Sequence, residues 1–170
     1  MRGPDQAAWE GEMFRLLAEN VLDYAIFIVD PGRHVLSWSK GAERLLGFTA
    51  DEVVGRRCDL FFTPEDVAGG APQRELDQAL AAGRGDGDRW YLRKDGTRFW
   101  SIGTVTPLKD EAGRLRGFAK VMRDRTDLKR AEDEARERER RLRLLTDRAP
   151  VLIAHCDAGR RFTFVNRPYA

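Results

Sequence analysis

A chain of 170 residues can bury one well-packed domain and some additional segments, but it is too short for two domains of ordinary size. Its 30 basic and 28 acidic residues leave a net charge of only +2, which gives no reason to expect a nucleic-acid partner or an anionic membrane surface. No stretch approaches the roughly 18 apolar residues that would span a bilayer, so a cytoplasmic protein without direct membrane contact is predicted. Cys58 and Cys156 lie in neither a CxxC motif nor a Cys/His cluster, and neither a disulfide framework nor a metal site is expected.

The beginning of the chain predicts a helix followed by a β-hairpin. Apolar residues at helical spacing between Trp9 and Val21 indicate an amphipathic N-terminal helix within residues 1–22. The apolar run 25–29 ends at a DPG turn, and a second run follows at 35–38. This pattern predicts strand, turn and strand.

Short helices and a glycine-rich connection are predicted next. A helix over 41–46 is followed by a second one, which a capping pattern opens at Thr49. A further helical turn is predicted at 63–66, and the GGAP sequence after it is expected to break the chain before a longer helix over 73–82. The stretch 83–87 contains three glycines and predicts a flexible connection.

The stretch from Trp90 to Thr126 predicts three antiparallel strands. Its turn sequences, Asp-Gly at 95–96 and Glu-Ala-Gly at 111–113, separate runs of alternating or β-rich character. The polar segment 127–148 contains no Gly or Pro. The third strand is therefore expected to lead directly into a long helix.

The chain also contains an internal repeat. The sequence RLLAENVLDYAIFIVDPGRHVLSWSK from Arg15 resembles RLLTDRAPVLIAHCDAGRRFTFVNR from Arg143 once one residue is skipped before the strand. Residues 149–170 are therefore expected to begin a second copy of the domain that stops after two strands, with 127–148 as the linker helix. The chain is interpreted as a fragment of a longer tandem protein.

Three segments, in this order and at compatible spacings, resemble a PAS domain, more specifically the PAS and PAC pairing of bacterial sensor proteins. They are IVDPGRHVLSWSKGAERLLGF from Ile28, DEVVGRRCDLFFTPED from Asp51 and RKDGTRFWSIGTVTPLKDEAGRLRGFAKVMRDRTDLKRAE from Arg93. The resemblance implies an α+β PAS fold over residues 23–126. This fold has a five-stranded antiparallel sheet with short helices on one side, an amphipathic N-terminal helix and a long C-terminal signalling helix.

The end of the last predicted strand matches the Asp-x-Thr motif of PAS relatives at Asp124 and Thr126. In those relatives the motif couples the sheet to the exit helix. The resemblance therefore implies that these two residues relay a signal to the helix over 127–148.

The resemblance further implies an interior that can hold a ligand. In the strand from Phe99 to Val105, a period of two places alternate residues on the face that is expected to point inward, and the same alternation adds residues of other strands. The predicted interior residues are Phe27, Val29, Cys58, Phe99, Ser101, Gly103, Val105, Phe118 and Met122. Two interpretations remain open: a packed core, or a pocket for a small apolar or aromatic ligand in the space left by Ser101 and Gly103.

Cys58 raises a further alternative for this interior. LOV photoreceptors, a flavin-binding branch of the PAS family, carry a reactive Cys in the pattern GxNCRFLQ, and GRRC at 55–58 falls on that position. Arg57 replaces the Asn of the pattern, while Ser101 and Met122 stand where those domains keep an Asn and a Gln. Because Ser and Met do not supply the donors and acceptors of an amide, Cys58 is better interpreted as a small buried apolar residue than as part of a flavin site.

The two histidines do not favour haem, since neither His34 nor His155 lies on the long helix that carries the iron ligand in haem-binding PAS relatives. The leading expectation is therefore that no cofactor is bound, with flavin as the alternative.

A heptad seam runs along the exit helix at spacings of three and four residues. Its members are Leu128, Ala131, Ala135, Arg138, Leu142 and Leu145, with Ala149 at the next position. The seam predicts a weakly paired homodimer, because small residues and the charged Arg138 interrupt its apolar character. A solitary solvated helix with i to i+4 ion pairs is the alternative.

Together these features favour a sensory module without catalysis of its own. It would bind a small ligand or mediate dimerisation and relay a conformational signal through its C-terminal helix to an output domain in the same chain. By resemblance, that output is a histidine kinase of a bacterial two-component system. The alternatives are a LOV-like flavin-binding photosensor, a redox sensor that uses Cys58, and a ligand-free dimerisation or spacer domain.

Overall fold

The computed structural model describes residues 4–147 and 153–166. It divides into two compact units, residues 1–126 and residues 127–170. The elements of the first unit are α1 Pro4–Asn20, β1 Ala25–Val29, β2 Val35–Trp38, α2 Lys40–Leu46, α3 Ala50–Val53, a 3₁₀ turn Cys58–Phe61, α4 Pro64–Ala68, α5 Ala71–Ala82, β3 Gly85–Asp86, β4 Arg89–Leu92, β5 Arg98–Lys109 and β6 Leu115–Asp124.

The first hairpin forms where the two apolar runs predicted it. Along β1, every second residue is buried, which is the pattern of a strand with one face on the core. In the turn, the Arg33 amide donates to the Asp30 carbonyl at 2.9 Å, and the Asp30 carboxylate accepts from the His34 amide at 2.8 Å. Arg33 adopts the left-handed conformation, with φ of 72°, to close this turn.

The short helices begin and end at the predicted signals. The Ser39 hydroxyl accepts from the Ala42 amide at 3.2 Å and caps α2, and Gly47 ends that helix with φ of 79°. Thr49 precedes α3, and its amide donates to the Glu52 carboxylate at 2.9 Å. The 3₁₀ turn Cys58–Phe61 was not part of the sequence prediction.

Two predicted connections are more regular than expected. Ala71 and Pro72 do not interrupt the helical structure but form the first turn of α5. Proline is tolerated there because the first amides of a helix have no intrahelical hydrogen-bond partners. The prediction of a flexible connection over 83–87 is wrong in part, because β3 pairs with β5. A Cβ at Gly85 would lie 2.7 Å from the Glu75 carbonyl, so only glycine lets β3 approach α5 this closely.

One antiparallel sheet holds the six strands in the order β2-β1-β6-β5, with β3 and β4 on the remaining edge of β5. β3 pairs with Thr104 and Val105 while β4 pairs with residues 98–101, so the two strands follow one another along that edge. The sheet thus has five strand positions, as predicted, and the fifth is interrupted at Gly87 and Asp88. There the Asp88 carboxylate accepts from the Gly103 amide at 3.1 Å, which satisfies a donor of β5.

The core of the first unit lies between one face of this sheet and the short helices. Phe61 from the 3₁₀ turn contacts three aromatic rings, with ring-centroid distances of 5.0 Å to Trp38, 5.7 Å to Phe48 and 5.8 Å to Phe27. Such offset and edge contacts stabilise the core beyond the burial of their area.

The second unit consists of a helix and a hairpin: α6 Thr126–Asp147, whose first residue belongs to the first unit, β7 Ala154–Cys156 and β8 Phe162–Val165. The α6 helix starts one residue before the predicted position. Position 148, Ala149 and the parts 149–152 and 167–170 of the predicted second domain lie outside the described residues.

The second hairpin repeats the geometry of the first. Ala154 pairs with Val165 as Phe27 pairs with Trp38. In both hairpins the register shifts after the second pair, between Ile28 and Val29 in the first and between His155 and Cys156 in the second. The Asp157 amide donates to the Arg161 carbonyl at 2.9 Å, as Asp30 does to His34 at 2.8 Å. The two hairpins, which resemble each other in sequence, therefore also have the same strand register and the same turn hydrogen bond.

Candidate sensory core and signal handover

The structure brings all nine predicted interior residues together. Each is buried in the core of the first unit, and along β5 buried and outward positions alternate as predicted. The nine are Phe27, Val29, Cys58, Phe99, Ser101, Gly103, Val105, Phe118 and Met122. Because burial fits both a packed core and a pocket wall, their role in ligand binding stays a prediction.

The space that Gly103 was expected to leave is occupied. A Cβ at this position would lie 2.9 Å from the Val121 carbonyl and 3.4 Å from Met122 Cγ. Gly103 therefore allows β5 and β6 to approach each other closely, and it does not leave an opening toward the interior.

A charged cluster inside this core was not predicted. Lys120 Nζ on β6 lies 2.9 Å from Glu75 Oε2 on α5 and 3.0 Å from the Tyr91 oxygen on β4. The Tyr91 hydroxyl in turn lies 3.4 Å from Glu75 Oε1. The side chains of Lys120 and Glu75 are only 5% and 1% exposed, so this ion pair joins α5 to the sheet through the interior.

Aromatic rings and a glycine complete the surroundings of the cluster. Lys120 Nζ lies 4.6 Å from the centroid of the Phe62 ring and 4.8 Å from that of Tyr91, within the range of cation–π attraction. Gly87, at the interruption between β3 and β4, faces the Glu75 carboxylate so closely that a Cβ would overlap with Oε1. The interruption of the fifth strand position therefore makes room for the buried carboxylate.

The pKa values of Lys120 and Tyr91 are shifted in the directions that keep both groups protonated within the cluster. Burial disfavours a charged Lys120, but attraction to the oxygens of Tyr91 and Glu75 outweighs burial and raises the pKa of Lys120 above its ordinary value. Burial raises the pKa of Tyr91 to about 12, against the opposing effect of Lys120. At neutral pH the tyrosine thus keeps its proton, which it can donate to Glu75 while it accepts from the ammonium group.

A signal for this cluster was present in the sequence. Lys120 lies two residues from both Phe118 and Met122, so the alternation that pointed these two inward also pointed the lysine inward. An inward lysine requires a buried acid. Local patterns could not identify Glu75 as that acid, because it lies 45 residues away on another element.

Cys58 lies at the start of the 3₁₀ turn and is 5% exposed. Burial raises the pKa of its thiol to about 11, although nearby Lys120 acts in the opposite direction. The thiol is therefore protonated at neutral pH, which is typical of a small buried apolar residue rather than a reactive thiolate.

The residues that line this interior do not fit a flavin. The Ser101 hydroxyl donates to the Ile102 carbonyl of its own strand at 3.4 Å, and Met122 offers no amide. A planar ring system between α5 and β6 would also have to separate Lys120 from Glu75. Leaving one member of a buried ion pair without its partner costs about 3–5 kcal/mol.

The handover from the sheet to α6 is built around Asp124. Its Oδ1 accepts from the Thr126 amide at 2.8 Å and from the Thr126 hydroxyl at 2.5 Å. The Thr126 hydroxyl oxygen accepts from the Trp100 amide at 2.9 Å. Thr126, the first residue of α6, is thus bound both to the end of β6 through Asp124 and to β5 through Trp100, and its amide, which has no partner within the helix, is satisfied.

Arg93 links this handover to the core. Its Nη2 donates to Asp124 Oδ2 at 2.5 Å, its Nη1 donates to the Leu45 carbonyl at the end of α2, and its guanidinium carbon lies 4.3 Å from the Phe99 ring centroid. Burial raises the pKa of Asp124, but the bonds from Thr126 and Arg93 outweigh burial and leave the pKa below its ordinary value. The sequence prediction named both aspartate and threonine but missed Arg93, since no local pattern ties it to Asp124.

The predicted seam residues form an exposed stripe along α6. Their side chains face solvent at Leu128, Ala131, Ala135, Arg138, Leu142 and Leu145. An i to i+4 ion pair joins Lys129 to Asp133 at 2.8 Å. Both the paired and the solitary helix remain compatible with this exposure, so the dimer stays a prediction.

The two histidines lie on the surface and bond to neighbours. His34 Nδ1 lies 3.1 Å from Asp30 Oδ2, and His155 Nδ1 lies 2.6 Å from the Thr163 hydroxyl. Within residues 4–147 and 153–166, no helix combines the length and apolar character needed to cross a membrane. The same residues contain no group of three or more His, Cys, Asp or Glu side chains that could hold a metal ion.

Comparison with protein families places these features in context. A family model described as a PAS domain matches residues 23–127. Two-component system protein A of Emericella nidulans is 40% identical over 128 residues, which cover 75% of this chain and 19% of that protein. Phototropin-1A of Oryza sativa subsp. japonica is 37% identical over 92 residues, or 52% and 9% of the two chains. The methanogenesis regulatory histidine kinase FilI of Methanothrix harundinacea is 29% identical over 136 residues, or 79% and 15%. This chain therefore spans less than a fifth of the length of these relatives.

Solved structures show the same fold. The PAS domain of a protein from Colwellia psychrerythraea has a TM-score of 0.62 at 23% identity, over 68% of this chain and 98% of that one. An RNA-binding light-oxygen-voltage receptor has a TM-score of 0.64 at 22% identity, over 81% of this chain and 39% of that one. The predicted α+β fold, with its antiparallel sheet, short helices and C-terminal helix, is confirmed. With the family model covering more than half of its length, the chain belongs to the PAS domain family.

Proposed function

We propose that this PAS domain senses a change in its interior or in its dimer contacts and relays the change through α6 to an output domain in the same chain. The observation that carries the proposal is the position of Asp124. Its carboxylate holds Thr126 at the start of α6 and, at the same time, Arg93 beside the core. No catalysis is proposed for this segment.

A short chain of contacts leads from the core to the exit helix. Phe99, one of the predicted interior residues, supports the Arg93 guanidinium at 4.3 Å, and Arg93 binds Asp124. A displacement of Phe99 would move Arg93 and change how firmly Asp124 holds Thr126. A helix start with two arrangements that differ by a few kcal/mol can be shifted by such a change.

The interior would take a small apolar or aromatic ligand or none. Apolar residues dominate its wall, but Gly103 leaves no opening and the Lys120–Glu75 pair crosses it. A ligand would therefore have to lie beside this ion pair without separating it. A domain with a filled core, which senses through dimer contacts alone, is the ligand-free form of the same proposal.

The output domain is proposed to be a histidine kinase, reached through a second PAS domain that begins within residues 149–170. The matching register and turn bonds of the two hairpins support the second domain. The similarity to a two-component system protein and to a regulatory histidine kinase supports the output. A bacterial source and a cytoplasmic location remain part of this proposal.

The α6 seam is proposed to pair two copies of the chain weakly. Leu128, Leu142 and Leu145 are 50%, 63% and 63% exposed, which leaves their apolar area available to a partner. Replacing Arg138 by Leu should strengthen the pairing, because it removes a charge from the centre of the seam. Sedimentation velocity that finds a monomer both before and after this change would contradict the dimer.

The relay is tested by replacing Asp124 with Ala in the longer protein that carries the output domain. Output should lose its dependence on the input signal while circular dichroism shows an intact fold. Asp110→Ala is the matched control, since Asp110 also accepts from backbone amides but lies in the β5–β6 turn. Regulation that persists in Asp124→Ala, or that is lost equally in the control, would refute the handover.

A flavin-dependent photosensor is the second candidate, supported by the similarity to Phototropin-1A and by the position of Cys58. It predicts that the purified chain absorbs blue light with the bands of a bound flavin and that Cys58→Ser abolishes a light-induced change in those bands. The poor fit of Ser101 and Met122 leads us to expect no such absorption. A spectrum with flavin bands would reverse that expectation.

A further inference from the structure

A basic cleft lies beside the handover, in the first unit. It encloses about 330 Å³ between the α1–β1 connection, α2 and the ends of β4 and β6. Its wall carries three arginines, Arg44, Arg93 and Arg123, and two aspartates, Asp23 and Asp124. The cleft thus contains more positive than negative groups, and one of its arginines is the residue that connects the core to Asp124.

The charges of this cleft are unequally compensated. Asp124 is fully engaged, with one oxygen on Thr126 and the other on Arg93. Arg123 donates to the Tyr24 hydroxyl at 3.4 Å and stacks over the same ring at 5.2 Å, but it has no carboxylate partner among the described residues.

Arg44 is exposed, and its side chain makes neither a hydrogen bond nor an ion pair within the described parts of the chain. Apart from the paired Arg93 and Asp124, the wall of the cleft therefore carries two positive charges, on Arg44 and Arg123, and one negative charge, on Asp23. Guanidinium forks without a carboxylate partner are suited to bidentate recognition of carboxylates and phosphates.

We propose that this cleft binds a small dianion, such as a phosphate group or a dicarboxylate, between Arg44 and Arg123. The bound anion also competes with Asp124 for Arg93, whose second nitrogen stays on the Leu45 carbonyl and keeps the guanidinium in reach. The consequence for signalling rests on the proposed relay, whereas binding itself depends only on the arginines. An anion that draws Arg93 away loosens the hold of Asp124 on Thr126, and by linkage the state of α6 alters the affinity for the anion.

Binding is tested by titrating the purified chain with inorganic phosphate and, separately, with succinate, at constant ionic strength set by chloride. Backbone amide shifts in NMR spectra should saturate at Tyr24 and at Thr126. Arg44→Gln and Arg123→Gln should each weaken binding about tenfold, the loss expected for one charge-assisted hydrogen bond. Arg114→Gln is the charge-matched control, because Arg114 pairs with Asp110 in the β5–β6 turn, and its affinity should equal that of the unaltered chain.

Shifts that grow linearly without saturation, or equal affinities in Arg44→Gln and Arg114→Gln, would overturn the binding site. Thermal unfolding of each variant separates lost binding from lost fold. Saturating binding that leaves the Thr126 amide unmoved would overturn the competition for Arg93. That result differs from failure of the relay itself, which the Asp124→Ala variant of the longer protein reports.

Discussion

Replacing Lys120 by Met should destabilise the PAS domain strongly, because it leaves the Glu75 carboxylate buried beside Tyr91 without its cation. The Glu75 side chain is 1% exposed, so water cannot replace the ammonium group. Removing one partner of such a pair typically costs about 3–5 kcal/mol. With an unfolding entropy of about 0.2 kcal/mol/K for a domain of this size, the midpoint of thermal unfolding should fall by about 15–25 °C.

The second half of this experiment removes both charges. Lys120→Met combined with Glu75→Leu leaves no unpaired ion, and replacement of a whole buried pair by apolar residues is often neutral. We therefore expect the double variant to recover most of the stability lost in the single one, within about 1–2 kcal/mol of the unaltered chain. Measured together with Glu75→Leu alone, the two single variants and the double variant form a cycle that isolates the coupling of the pair.

Urea unfolding followed by tryptophan fluorescence and by circular dichroism measures these free energies. Lys40→Met is the matched control, because it breaks a Lys–Glu pair of 2.7 Å whose lysine side chain is 63% exposed, and such surface pairs contribute at most about 1 kcal/mol. A loss of unfolding free energy in Lys120→Met no larger than that in Lys40→Met would contradict the predicted cost of leaving the Glu75 carboxylate without its cation. A double variant as unstable as the sum of Lys120→Met and Glu75→Leu would contradict the predicted coupling of the pair.

Three further predictions follow from the same contacts. Gly87→Ala should cost about 1–3 kcal/mol in urea unfolding, since the new Cβ must displace the Glu75 carboxylate from a closed site, and a neutral result would show that the site can relax. Ellman's reagent at pH 8 should modify the exposed Cys156 rapidly and the buried Cys58 only upon unfolding, and rapid modification of the single remaining thiol in a folded Cys156→Ser variant would contradict the raised pKa of Cys58. Because the pKa of Asp124 is lowered in the folded chain, its contribution to stability is complete above the unfolded value of about 3.9 and is lost as the pH falls through the lower folded value. An NMR titration of the Asp124 carboxyl should therefore have its midpoint below that of an unfolded aspartate, and a midpoint at or above the unfolded one would show that Thr126 and Arg93 do not hold the charged form.

The strands and helices could be predicted because their signals are local. The Asp-Gly and Glu-Ala-Gly turns, the alternation from Phe99 onward and the glycine after α2 each act within a few residues of where they stand. The exceptions include the 3₁₀ turn Cys58–Phe61, the first turn of α5 and the stretch 83–87, where glycines were interpreted as flexibility. In the structure Gly85 and Gly87 allow close approach to α5, which no local pattern reveals.

The candidate site was predicted in its apolar part and missed in its polar part. Alternation identifies a face and cannot say what covers that face, so it placed Phe118 and Met122 in the core without showing why Lys120 could join them. The same limit applied to the handover, in which the Asp-x-Thr motif was evident but its partner Arg93 was not.

By itself, the sequence determined the order of most elements, the family, the inward face of each central strand and the repeat of the first hairpin, since these depend on periodicity and on residues close together in the chain. Only the tertiary structure decided which charges meet. It placed Glu75 against Lys120 across 45 residues and Arg93 against Asp124 across 31. Contacts over such separations are set by how α5 and the β4–β5 turn dock against β6, and docking depends on the shape of the whole core rather than on any local pattern.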